Sequence, residues 1–156
     1  MPIRSQGTEL FYVRPGSSPV LVKLHCPTGI TGLGGAADQV ETTCLSDTED
    51  KQYVRGLGNP GQVSAPVNFD PQQVSHEDMF DLKASGETLQ WVIGMSDGTT
   101  LPTLDSNGDI EPPVGRSSIQ FTGYIADWGL DFAGNDVVKG TLTIQRSGSV
   151  IFTKKG

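Results

Sequence analysis

The chain is poor in the residues on which most chemistry depends. Among 156 residues there are two histidines, His25 and His76, and two cysteines, Cys26 and Cys44. Nucleophilic catalysis needs a Ser or Cys beside a base and an orienting group, and no G-x-S-x-G elbow is present, so no triad is expected. The cysteines lack CxxC spacing and flank a glycine-rich stretch, and they read as reduced, small and buried. Lysine and arginine together number 11 against 18 acidic residues, a net charge of −7. Without a basic cluster there is little to neutralise phosphates, which argues against independent nucleic-acid binding. No apolar run approaches the ~18 residues of a membrane span. The opening MPIRSQGTEL has no apolar core of a secretory signal, so the chain is expected to remain in the cytoplasm where it is made.

What is abundant is punctuation. Twenty glycines and ten prolines suit many short strands joined by turns. The length fits one domain, 1–156. Glu9 to Arg14 and Pro19 to His25 are aromatic and β-branched runs around Pro15-Gly16-Ser17-Ser18, a hairpin pattern. Gln39 to Leu45 is strand-like, Gln62 to Phe69 alternates through Val63, Ala65, Val67 and Phe69, and Thr88 to Met95 is apolar and β-branched. Ser117 to Ala126 reads as a long strand, and Val137–Arg146 with Val150–Lys154 reads as a closing hairpin over Ser147-Gly148-Ser149. The single helix signal covers about 75–85, with a weak capping box at Ser75 and Asp78 and Gly86 as the stop. The expectation is a mainly β fold, a two-sheet sandwich or small barrel of eight or nine strands, with one short flanking helix and a long arm after the second strand. That arm, about 26–61, is glycine-punctuated, as functional arms and linkers are.

Candidate constellations are weak. Asp105-Ser106-Asn107-Gly108-Asp109 alternates like a calcium loop, but Ile110 and Arg116 stand where a full loop needs Gly and a bidentate Glu, and Asn-Gly is a turn signal by itself. Gly32, Gly34 and Gly35 lack the context of a phosphate cradle and read as a flexible hinge. Trp91 and Trp128 read as core anchors, with sugar-stacking platforms as the alternative. Asp47, Glu49 and Asp50 lie in one solvated run. No catalytic, metal or cofactor site is expected, and the chain reads as a non-enzyme.

The passage ADQVETTCLSDTEDKQYVRGLGNPGQVSAPVNF, residues 37 to 69, resembles the tail tube (major tail) proteins of lambda-type bacteriophages with long non-contractile tails. It carries an Asp-Gln-Val-Glu-x-Thr strand, Tyr53 ahead of Gly56-Leu57, and Gly61 opening a strand. SHEDMFDLKASGETLQWVIGMSDG (75–98) and the strand with Phe121-Thr122-Gly123-Tyr124-Ile125 extend the match towards the C-terminus. The resemblance implies a structural virion protein, assembled in the host cytoplasm, that forms hexameric rings stacked into a hollow tail tube. It implies an arm reaching a neighbouring ring, with Gly32, Gly34, Gly35, Asp38, Gln39, Thr43, Leu45, Tyr53, Gly56, Leu57 and Gly61 as its assembly residues. The implied partners are further copies of the chain, the tape measure protein, the tail terminator and tip proteins, and DNA passing through the lumen without specific binding. Six copies at −7 would carry −42 per ring, which suggests an acidic lumen that repels phosphate. The alternatives are another ring- or tube-forming subunit, such as a terminator or a contractile-tail or secretion-system tube, and a monomeric carbohydrate-binding sandwich.

Overall fold

A computed structural model describes residues 2–156. Ten strands and one helix follow in the order β1 (Glu9–Arg14), β2 (Val20–Lys23), β3 (Ala37–Glu41), β4 (Tyr53–Gly58), β5 (Gln62–Asn68), α1 (Val74–Ser85), β6 (Thr88–Gly94), β7 (Thr103–Leu104), β8 (Ile110–Glu111), β9 (Ser118–Asp131) and β10 (Lys139–Thr153). Six of them form one antiparallel sheet in the order β2-β1-β6-β9-β10-β5, and β3-β4 and β7-β8 form small two-stranded sheets.

The large sheet curls until its two edges are joined by one piece of chain. Beyond β2 the backbone leaves β1, turns at Cys26 and runs antiparallel to β5, with Pro27 opposite Val67 and Thr31 opposite Ser64. The Thr28 N–H donates to the Pro66 carbonyl at 2.7 Å, and Thr31 and Ser64 exchange bonds of 2.9 Å. The result is a small barrel, and residues 27–31 belong to its wall. The free arm is therefore shorter than the expected 26–61. Cys26 turns in the left-handed region (φ 51°), a strained conformation for a residue with a Cβ. Helix α1 holds that corner. The His25 N–H donates to Ser75 Oγ at 3.1 Å, and the His76 ring meets the His25 carbonyl at 2.7 Å through Nε2. His76 Nδ1 accepts the Asp70 N–H at 3.0 Å, which leaves Nε2 as the donor to the His25 carbonyl.

Ser75 is thus engaged by the preceding crossover and does not cap its own helix. The helix begins at Val74, its N-cap Gln73 makes no side-chain capping bond, and Gly86 ends it in the left-handed conformation. The helix sends Met79 and Leu82 into the barrel, where they join Leu10, Tyr12, Val63, Val67, Leu89, Ile93, Ile125, Leu142 and Ile144. Period-two alternation along every long strand supplies these inward residues. Trp91, wholly buried, stacks on Phe121 at 6.3 Å and donates its indole N–H to the Gly123 carbonyl at 3.0 Å. A smaller cluster of Phe11, Val13, Val92 and Ile110 lies on the other face of β1 and β6, and Ile110 belongs to the β7–β8 hairpin.

Two sequence expectations are corrected. Ser147-Gly148-Ser149 is no turn, because β10 runs unbroken through it. Ser147 faces Thr122 and Ile151 faces Gln120, so the extra residues, including Gly148 at φ 78°, bulge out against a partner strand long enough to keep pairing. The closing hairpin is instead β9–β10, turning through residues 132–138. Cys26 and Cys44 are both free and exposed, since neither lies on an inward strand position.

The mouth of the barrel is fastened by Arg116, which is fully buried. All five of its N–H groups are used. They reach the carbonyls of Met95 (2.8 Å), Gly7 (3.0 Å), Gly94 (3.2 Å) and Thr100 (3.4 Å) and Oε1 of Glu9 (2.9 Å). Glu9 also pairs with Lys23. Arg116→Met should lower the urea midpoint by the equivalent of about 3–5 kcal/mol, the range for removing one partner of a buried ion pair. Burial alone would raise the Glu9 carboxyl, but bonds to Lys23 and Arg116 outweigh it and hold the group below its ordinary 4.5. The folded form is therefore favoured above that value, and the gain is lost as the pH falls through the lowered one. Glu9→Gln should flatten the acid limb of a stability-against-pH curve, and an unchanged limb would contradict the pairing.

Candidate assembly surface

Strands β3 and β4 stand apart from the barrel. Val40 faces Val54 and Glu41 faces Tyr53 across the pair. Its turn is tied internally: Thr43 Oγ1 accepts the Gln52 N–H at 2.8 Å and Asp47 Oδ2 accepts the Cys44 N–H at 2.8 Å. What it lacks is a core. Leu45 is fully exposed, Leu57 is 83% exposed, and Val40, Tyr53 and Val54 are each about half exposed. An isolated two-stranded hairpin is marginal in water, and apolar side chains held out on one mark a surface awaiting a partner.

The hairpin's two legs meet the barrel at a tight crossing of backbones. A Cβ on Gly32 would strike the Gln62 carbonyl, one on Gly35 the Asn59 carbonyl, and one on Gly61 would come within 2.9 Å of the Gly34 carbonyl. These glycines permit close approach where the sequence suggests a loose hinge. Gly32 also needs the positive φ it adopts, +91°. Beneath the crossing lies β10: the Arg146 N–H donates to the Gly61 carbonyl at 3.3 Å, and Arg146 Nη2 to the Gly34 carbonyl at 2.9 Å.

The residues singled out from sequence fall into three places. Gly32, Gly34, Gly35 and Gly61 form the root. Asp38, Gln39, Gly56 and Leu57 lie along the strands, with Asp38 Oδ1 accepting from Asn59 Nδ2 at 2.7 Å. Thr43, Leu45 and Tyr53 are at or beside the turn. Sequence reading missed Val40 and Val54, which look like ordinary strand residues, and Arg146. The signal for Arg146 is a cation in inward phase with Leu142 and Ile144.

A second surface is the outward side of β5, β10, β9 and β6. Its cross-strand pairs include Thr141–Pro66, Thr143–Ser64, Gln145–Gln62, Gln145–Tyr124, Ser147–Thr122 and Gln90–Thr122, with Thr143–Asp127 and Lys139–Asp131 towards one end. Hydroxyl and amide groups fill its middle. The charges sit at one end, where Lys83 pairs with Asp127 at 3.3 Å and Lys139 with Asp136 at 3.1 Å.

The sugar-binding and calcium readings lose their footing. Trp91 is wholly buried and Trp128 is 4% exposed, so neither offers a face to a sugar. Asp105 Oδ1 is taken by the backbone N–H groups of Asn107 (2.8 Å) and Asp109 (3.0 Å), the bonds of a structural turn.

Residues 1–156 match the family described as phage tail tube, lambda-like. The chain belongs to this family. It is 38% identical to structural protein 3 of Pseudomonas phage PAJU2, covering 98% of this chain and 94% of that relative. Its fold is shared with the tail tube of SPP1 (TM-score 0.66, 10% identity, covering 98% of this chain and 80% of the other). A gene transfer agent tail gives a TM-score of 0.68 at 14% identity, covering 97% and 99% of the two chains. The sheath-tube complex of the contractile injection system PVC gives 0.64 at 13%, covering 98% and 92%. The tail tube protein is accordingly a structural component of the virion and not an enzyme.

Gly32→Ala should leave the barrel folded but loosen the arm root, because the new methyl must displace the Gln62 carbonyl at a strained φ, at about 1–3 kcal/mol. Limited proteolysis should then cut between residues 32 and 61 several-fold faster than in the wild type.

Proposed function

We propose that six copies form a ring, that rings stack into a hollow tube, and that the β3–β4 arm of each copy clasps the neighbouring ring. The observation that carries this reading is the arm itself, an exposed apolar hairpin without a core. Burying Leu45 or Leu57 fully would contribute roughly 1.5–3 kcal/mol each, so the arm gains its stability at the contact. A ring contact of this kind is heterologous, joining two different patches of one chain. The thirteen residues from Gly35 to Asp47 reach at most about 45 Å when fully extended, which limits the spacing between successive roots.

The outward face of β5, β10, β9 and β6 lines the channel in this reading. The hydroxyls and amides of its middle offer DNA phosphates no cation to bind, and the lysines at its end are paired with Asp127 and Asp136, so passage is uniform along the tube. The acidic groups that give the chain its −7 lie mainly elsewhere, and the expected acidic lumen gives way to a neutral one. The tape measure protein occupies the channel during assembly, the terminator and tip proteins close the ends, and DNA follows at infection.

Replacing residues 37–58 with a short Gly-Ser linker should leave a folded, monomeric barrel that forms no tubes. Sedimentation with negative-stain microscopy would show this, and normal tubes from that variant would refute the arm's role. Wild-type protein that stayed monomeric at every concentration, and was missing from purified tails, would refute the tube itself. Thr143→Lys should slow DNA release severalfold in an ejection assay at unchanged tail length, and ejection at the normal rate would remove this face from the channel.

A further inference from the structure

The barrel contains two buried arginines in opposite conditions. Arg116 spends all five of its N–H groups and pairs with Glu9. Arg146 is 6% exposed and makes one side-chain bond, from Nη2 to Gly34. Its Nε is buried without a partner, and no carboxylate of the described residues lies within ion-pairing distance. A buried guanidinium left this way carries a desolvation cost that an incoming anion would relieve. Its position is equally specific, directly under the glycine crossing at the arm root.

We propose that Arg146 is the receptor for a carboxylate of a second copy of this chain, supplied by Glu49 or Asp50 at the tip of that copy's arm. The inference rests on the proposed clasping of neighbouring rings and names the polar contact that gives the clasp its register. Glu49 and Asp50 are exposed and unpaired among the described residues, whereas Asp47 is occupied in its own turn. Tip meeting root is a head-to-tail contact, and it repeats without end along a stack, as a tube requires. A planar fork suits a carboxylate better than a lysine would. The carboxylate also makes the strap over Arg146 a shared element, since the same guanidinium then holds its own Gly34 and the neighbour's arm.

Three variants of the full chain test this by tube yield in a pelleting assay, with a thermal melt to check folding. Arg146→Gln should melt as a folded protein and pellet at least tenfold less. Glu49→Gln with Asp50→Asn should lose tubes to the same degree, and the swap Arg146→Glu with Glu49→Arg and Asp50→Arg should restore them. Wild-type yield from the Glu49→Gln, Asp50→Asn protein would overturn the proposal, and that variant decides the matter even if Arg146→Gln fails to fold. A control lacking residues 43–51 separates the two readings. Tubes without the tip would sink the arm's role as well, whereas tubes lost with the tip but kept by the neutralised tip would sink the Arg146 contact alone.

Discussion

Closure of the sheet by the segment after β2 is the constraint from which the rest of the architecture follows. A strongly curled sheet exposes two edges, and each edge is a template for unwanted pairing. Here one continuous stretch runs on from the edge strand β2 and satisfies part of the β5 edge, at the expense of a left-handed residue at Cys26. The helix corner formed by Ser75 and His76 compensates for that strain by binding both backbone groups of His25. Because closure ends at Thr31 and β5 begins at Gln62, everything between must leave and return at one point. The arm is thus a consequence of barrel closure.

That single point of exit accounts for the glycines. Two backbones crossing over a third strand leave no room for side chains, and Gly32, Gly35 and Gly61 are where a Cβ would collide. The same crowding shields Arg146 and leaves its Nε without a partner. The tight root fixes where the hairpin leaves the barrel, and hydrogen bonds within its own turn hold the tip together.

The strands, the helix and the exposed arm were largely legible in the sequence because they rest on local signals. Val63, Ala65 and Val67 alternate, Gly86 stops a helix, and β-branched residues mark β3. The family was legible from the order of motifs between residues 37 and 125. The failures were non-local. Ser-Gly-Ser reads as a turn unless one knows that β9 continues opposite it, and Ser75 reads as a cap unless one knows that His25 arrives to claim its hydroxyl. Residues 27–31 read as linker because two isolated bridges leave no periodic trace. Arg146 was overlooked because a lone cation in a strand is ordinarily solvent-facing, and only the register shows it pointing inward with Leu142 and Ile144.

The way the arm is rooted also has a mechanical side. Its returning leg runs directly into β5, whose seven residues from Gln62 to Asn68 all pair with β10. A pull along the arm therefore slides β5 against β10 and loads those bonds in parallel, where a sideways pull would peel them one after another.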